Sequence, residues 1–174
     1  AINGNHDWWD DAEAQARRRG PIHTAIVLEA AGIPVLVNRA VKIGEGEAAF
    51  WLGGLDSQSA LPGGGGRNHL PGLLAQVTDD APMILAAHEP DVFAEGTPRV
   101  ALQLSGHTHG GQITFFGWRP VVPSRYGARY AWGHVREKGR DLVMRDLVVS
   151  GGPGCSGVPV RIGAPPELTV VELS

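Results

Sequence analysis

Side chains suited to metal or proton chemistry stand in three short clusters: Asn5, His6 and Asp7 in GNHD, His88 in AAHEPD, and His107 and His109 in SGHTHGG. Neutral imidazole is a good ligand for divalent transition metals. An amide carbonyl adds a hard oxygen, so Asn5 with His88 and His107 makes a mixed nitrogen and oxygen shell that suits Zn, Mn or Fe better than Ca or Mg. A histidine outside such a shell can serve as a general acid, a role open to His6. Residues i and i+2 of an extended segment face the same way, which predicts His107 and His109 on one side. Gly106, Gly110 and Gly111 would let the backbone turn there and a ligand approach. The alternative is a polar loop that uses its histidines only for hydrogen bonds.

The elements that must position these residues follow from patterning. PMILAAH and VALQLS read as buried strands that deliver His88 and the SGHTHGG motif at their carboxyl ends, where ligands gather in open α/β sheets. GNHD is a tight turn that contributes to the same edge. Asp10 or Asp11 caps a helix through AEAQARRR, stopped by Gly20 and Pro21, and HTAIVLEAAG is a second helix ended by Gly32. PVLVN reads as a buried strand, and VKIGEGEAAFWLGGL as two strands joined at Gly44 to Gly46. HLPGLLAQV predicts a helix, while YAWGHV, DLVMRDLVVS and ELTVVEL predict strands with alternating apolar residues. The glycine run Gly63 to Gly66 lacks the Lys-Ser/Thr of a phosphate-binding loop and reads as a connector. Alternating helices and strands, then mostly strands, predict an α/β layered sandwich, one domain over residues 1–174, with no internal repeat.

Composition narrows the function classes. The 174 residues are 43% apolar with a net charge of −3, which offers no basic field for nucleic acid. The single cysteine, Cys155, has no partner for an internal disulfide and no neighbouring histidine to activate it. The longest apolar runs, Thr24 to Leu28 and Pro34 to Val37, fall far short of the roughly 20 residues of a membrane span, and no signal peptide opens the chain. A cytoplasmic protein is expected, or a membrane-associated one if an N-terminal segment is missing. His23, His69 and His134 are expected to be exposed or hydrogen-bonded, with His69 a reserve ligand. Arg125 and Arg129 could meet a substrate phosphate, and the aromatics Phe115, Phe116, Trp118, Tyr126 and Tyr130 could line the approach or cover the core.

In order, GNHD, AHEPD and SGHTHGGQ resemble the calcineurin-like metallophosphoesterases. GNHDWW, AAGIPVLVN, LGGLD and PPELTVVEL are similar to the bacterial branch with phosphodiesterase or sugar-nucleotide (UDP-diacylglucosamine) pyrophosphohydrolase activity, so the resemblance covers nearly the whole chain. It implies an α-β-β-α sandwich and hydrolysis of a small phosphoester by a metal-bound hydroxide. In such a site, two ions about 3.5–4 Å apart stabilise the charge on the phosphoryl oxygens. By that resemblance Asn5, His88 and His107 bind the second metal and His109 the first, His6 protonates the leaving group, and Asp7 orients His6.

The family pattern also carries, ahead of GNHD, an Asp-x-His pair for the first metal and a Gly-Asp-x-x-Asp segment whose first Asp bridges both metals. Neither occurs in this sequence, and Asp56 in LGGLDSQ is no replacement. The chain is therefore expected to be N-terminally truncated relative to the family. A single Mn, Zn or Fe ion is the more physical expectation, because two divalent ions without a bridging carboxylate repel. A short form that folds alone, a homo-oligomer that completes the fold, and a fragment are the competing explanations. The alternatives to phosphoesterase activity are an inactive metal-binding relic and a hydrolase shifted to carboxylic esters or lactams.

Overall fold

A computed structural model of the chain describes residues 1–139 and 142–173. The first residue of the expected DLVMRDLVVS strand, Asp141, therefore lies outside the described residues.

Three short helices come first: α1 (Asn5–Trp9), α2 (Ala12–Arg17) and α3 (His23–Ala30). Asp11 caps α2, its carboxylate accepting from the Ala14 N–H at 2.8 Å, and Arg18 ends that helix in the left-handed region. Then follow β1 (Arg39–Ile43), β2 (Phe50–Leu55), α4 (Leu70–Leu74), β3 (Met83–Ala87), β4 (Val100–Ser105), β5 (Gly133–Lys138) and β6 (Met144–Val149). The six strands form one sheet in the order β1-β2-β3-β4-β6-β5. β2, β3, β4 and β6 run parallel, and the outer strands β1 and β5 are antiparallel to their neighbours. An α/β protein with a mixed sheet results.

This topology matters for chemistry because four parallel strands end at the same edge. Leu55, Ala87, Ser105 and Val149 close β2, β3, β4 and β6, and the residues that follow them are thrown together. On one sheet face Trp51, Leu55, Met83, Leu85 and Val100 pack with Leu70 and Leu73 of α4. Gly53 makes this possible, since a Cβ there would sit 2.3 Å from Met83 Cε. A second cluster, Trp8, Ala14, Ile22, Ala25, Val35 and Leu61, ties α1, α2 and α3 together. Phe93, Tyr130, Leu147 and Val149 form a third under β6. The opposite sheet face carries a groove of about 1200 Å³ lined by Phe50, Ile84, Leu102, Val148 and the C-terminal Val171.

Two expected strands do not join the sheet. PVLVN instead bends at Val37 and Asn38 and pairs with Ala1, where Leu36 N–H donates to Ala1 O and the Ala1 amine to Pro34 O. Its Leu36 lies over β2 at Gly54, where a Cβ would come within 2.2 Å of Leu36 Cβ. ELTVVEL borders the groove without ladder bonds, because Glu167 turns back to accept from Gly151 N–H and Trp132 Nε1. The YAWGHV strand starts only at Gly133, since Gly127–Tyr130 form a 3-10 turn that buries Tyr130 against Phe93. No helix among the described residues is long and apolar enough to cross a membrane.

Candidate functional site

α1 occupies the carboxyl edge of the sheet and separates two neighbouring side chains. Asn5 is buried and His6 is exposed, as the roughly 100° step between successive helical residues requires. Asn5 Oδ1 accepts from His88 Nε2 at 3.0 Å and from His107 Nδ1 at 3.1 Å. The two imidazoles meet edge to face with centroids 5.1 Å apart. One amide oxygen and two ring nitrogens from three separate elements therefore converge on a single point.

Burial holds the His88 imidazole well below its ordinary value, at about 4, with the neighbouring His107 adding to the depression and Glu89 opposing it. Burial also lowers His107 and His109. All three rings are consequently neutral at physiological pH, the state in which a ring nitrogen can offer its lone pair. An amide oxygen only accepts, so Nε2 of His88 and Nδ1 of His107 carry the protons in this arrangement. Turning those nitrogens toward a cation requires each proton to move to the other ring nitrogen.

The supporting bonds are dense. Gly4 lets the helix approach His88, since a Cβ at Gly4 would lie 3.0 Å from its ring atoms. Asp56, just after β2, accepts at Oδ1 from Trp8 Nε1 at 2.9 Å and from Asn3 Nδ2 at 3.1 Å, fixing α1 from below. Glu89 is buried beside His88 and accepts from Ser57 Oγ at 2.6 Å and from the Gln58 and Ser59 N–H groups. Glu89 does not stand out in the sequence, where Asp56 is weighed only as a metal-bridging carboxylate and set aside. The signal for Asp56 was a carboxylate closing a strand opposite the inward tryptophan of NHDWW.

His107 and His109 do not alternate on an extended segment. Both backbones lie in the left-handed region, at φ 68° and 52°, because the chain leaves β4 at Ser105 and coils into the 3-10 turn His109–Gly111. His107 joins Asn5 and His88, whereas His109 Nδ1 donates to Gly154 O at 3.3 Å and its Nε2 has no hydrogen-bond partner among the described residues. Asp7 accepts from the Gly4 N–H at 2.8 Å and so caps its own helix. His6 meets Ser156 Oγ at 3.3 Å through Nε2 and tilts against Trp9.

The other sequence candidates divide. His134 pairs with Asp146 across strands at 2.6 Å, and His69 precedes α4, its N–H donating to Asn38. Arg129 is held by both carboxylate oxygens of Glu137, while Phe115, Phe116, Trp118 and Tyr126 stay exposed. Among the described residues no group of three or more His, Cys, Asp or Glu side chains gathers closely enough to hold a metal ion. With the Asn5 oxygen counted, the donor set at α1 still fits the partial shell of one divalent transition metal, being neutral, mixed in N and O, and convergent.

The chain is 38% identical over 103 residues to the Bacillus subtilis protein named uncharacterized metallophosphoesterase YkuE, covering 59% of this chain and 34% of that one. An uncharacterized metallophosphoesterase of Aquifex aeolicus is 31% identical, over 52% of this chain and 32% of its own length. A zebrafish transmembrane protein with metallophosphoesterase domain is 29% identical over 98% of this chain and 37% of that protein. This chain thus spans about a third of the length of these relatives. No family model and no solved structure matches it.

Proposed function

We propose that this chain, which is similar over part of its length to proteins named metallophosphoesterases, is a calcineurin-like metallophosphoesterase that hydrolyses phosphodiesters with a divalent transition metal, Mn, Zn or Fe, held by Asn5, His88 and His107. The observation that carries the reading is the meeting of Asn5 Oδ1 with His88 Nε2 and His107 Nδ1 within 3.1 Å. When bound, the cation supplies Lewis-acid stabilisation of charge on the phosphoryl oxygens and activates water.

This chain's own residues do the rest. Burial keeps the His88 and His107 rings neutral and available. His109, with Nδ1 committed to Gly154 O, presents Nε2 on the adjacent turn and is the ligand available to a further ion. His6, at the exposed side of α1, holds the proton for the leaving oxygen. Asn5 and His6 are consecutive, so the helix that sets the metal donor also sets the acid.

The test is hydrolysis of bis(4-nitrophenyl) phosphate by the purified chain with Mn²⁺, with chelator, and with His107→Ala. Turnover that needs the metal and vanishes in the variant is expected. Turnover unaffected by His107→Ala, or none at all with metal present, overturns the reading.

A further inference from the structure

The segment that follows β6 runs across the mouth of the site and is fastened there from two sides. Gln112, the residue after the His109–Gly111 turn, clamps Ser156 through its backbone: its Oε1 accepts from Ser156 N–H at 2.7 Å, and its Nε2 donates to Ser156 O at 3.0 Å and Val158 O at 2.9 Å. Arg161 gives its N–H groups to backbone carbonyls, with Nη2 donating to His109 O at 2.9 Å and Nη1 to Gly151 O and Gly154 O. The segment is thereby attached to the same turn that carries His109. It reaches α1 through Ser156 Oγ, 3.3 Å from His6 Nε2.

We propose that Ser156 is a positioning residue for His6, its hydroxyl fixing the exposed imidazole so that proton delivery to the leaving oxygen starts from one orientation. This inference rests on the phosphoesterase reading above. The Trp9 ring, its centroid 5.1 Å away, gives His6 an apolar neighbour, and an exposed imidazole without a polar partner rotates freely among its rotamers. In the step itself the proton on His6 Nδ1, the nitrogen that does not face Ser156, passes to the bridging oxygen as the P–O bond breaks and the electron pair stays on that oxygen. Phosphorus gains the oxygen of water, whose released proton goes to solvent, from which His6 is reprotonated for the next turnover, and the Ser156 hydroxyl keeps its own proton. Gln112 and Arg161 act one step further out, by holding Ser156 in reach.

Leaving-group dependence tests this directly, because a nitrophenolate departs without protonation whereas a phenolate or alkoxide needs it. The unaltered chain, Ser156→Ala, Ser156→Thr, His6→Ala and the double variant are assayed with Mn²⁺ on aryl phosphodiesters from 4-nitrophenyl to phenyl. Ser156→Ala is expected to lose about tenfold in kcat on the phenyl ester, within the range general acids contribute, and less than about twofold on the nitrophenyl ester. Ser156→Thr restores the phenyl rate, and Ser156→Ala adds nothing in the His6→Ala background. An equal loss on every ester, or an additive loss in the double variant, overturns the role of Ser156 while leaving the phosphoesterase reading intact. No metal-dependent turnover by the unaltered chain overturns both. If Ser156→Ala does not fold, Ser156→Cys takes its place in the same comparison.

Discussion

Acidification should cost this protein stability well before its surface carboxylates titrate, because His88 is neutral in the folded chain. Burial holds its imidazole at about 4, against an ordinary 6.5. The unfolded chain therefore binds a proton between those values that the folded chain refuses, so unfolding becomes easier as pH falls. With those two values, linkage gives a loss of about 2 kcal/mol between pH 7.5 and 5, rising to about 3 below pH 4. His107, lowered for the same reason, adds in the same direction. Full stability is present above pH 6.5 and is lost progressively as pH falls through the folded value. Urea unfolding of the metal-free chain at half-unit steps from pH 7.5 to 5 reads this out, with His88→Gln as the reference. The variant keeps a side-chain N–H to meet Asn5 but has nothing to titrate, so its stability should fall less steeply across this window. Parallel profiles for the two proteins would refute the argument that buried His88 is the proton-linked group.

Two further substitutions probe the scaffold of the site. Asp56→Ala leaves the buried Trp8 indole and Asn3 amide without their acceptor, which should destabilise by about 2–4 kcal/mol in urea titration and raise Trp emission at low denaturant. A cost below about 1 kcal/mol would mean α1 is held by packing alone. Gly4→Ala brings a methyl within 3.0 Å of the His88 ring and should weaken Mn²⁺ or Zn²⁺ binding by about tenfold in chelator competition. Unchanged affinity there would show that the ring is free to give way.

Much of the site was legible because it sits where simple rules apply. Buried strands ending in His88 and before His107 could be read from PMILAAH and VALQLS, since parallel strands are apolar on both faces and ligands collect at their ends. The α2 and α3 helices followed from Asp11 and Gly32. What escaped depends on tertiary partners. PVLVN and ELTVVEL have strand composition, yet a strand is made by its neighbours: the first pairs with residues at the chain start, and the second is turned by Glu167. The same limit explains His109. Period-two alternation needs an extended backbone, and two residues with positive φ break it. Asp56 with Trp8, Glu89 with Ser57, Gln112 with Ser156 and Arg161 with His109 join positions 32 to 52 residues apart, a separation at which patterning is silent.

These supports divide the site into two halves that should fail differently. Asn5, His88 and His107 face inward and are backed by Asp56 and Glu89, groups whose hydrogen bonds also hold α1 and the Ser57–Ser59 turn to the sheet. In the proposed site, disturbing that half is expected to change folding and cation binding together, since the same donors and acceptors serve both. His6, His109 and Ser156 face outward and are joined by the segment after β6, which is fastened beside them through Gln112 and Arg161. Disturbing this half leaves the core bonds in place, so on the proposed reading its effects are expected in the handling of the departing group. The five-residue α1 is where the halves meet, and its length has a physical reason. A helix needs little more than one turn to place Asn5 inward and His6 outward, and Asp7, by accepting from Gly4 N–H, supplies the cap that lets so short a helix stand.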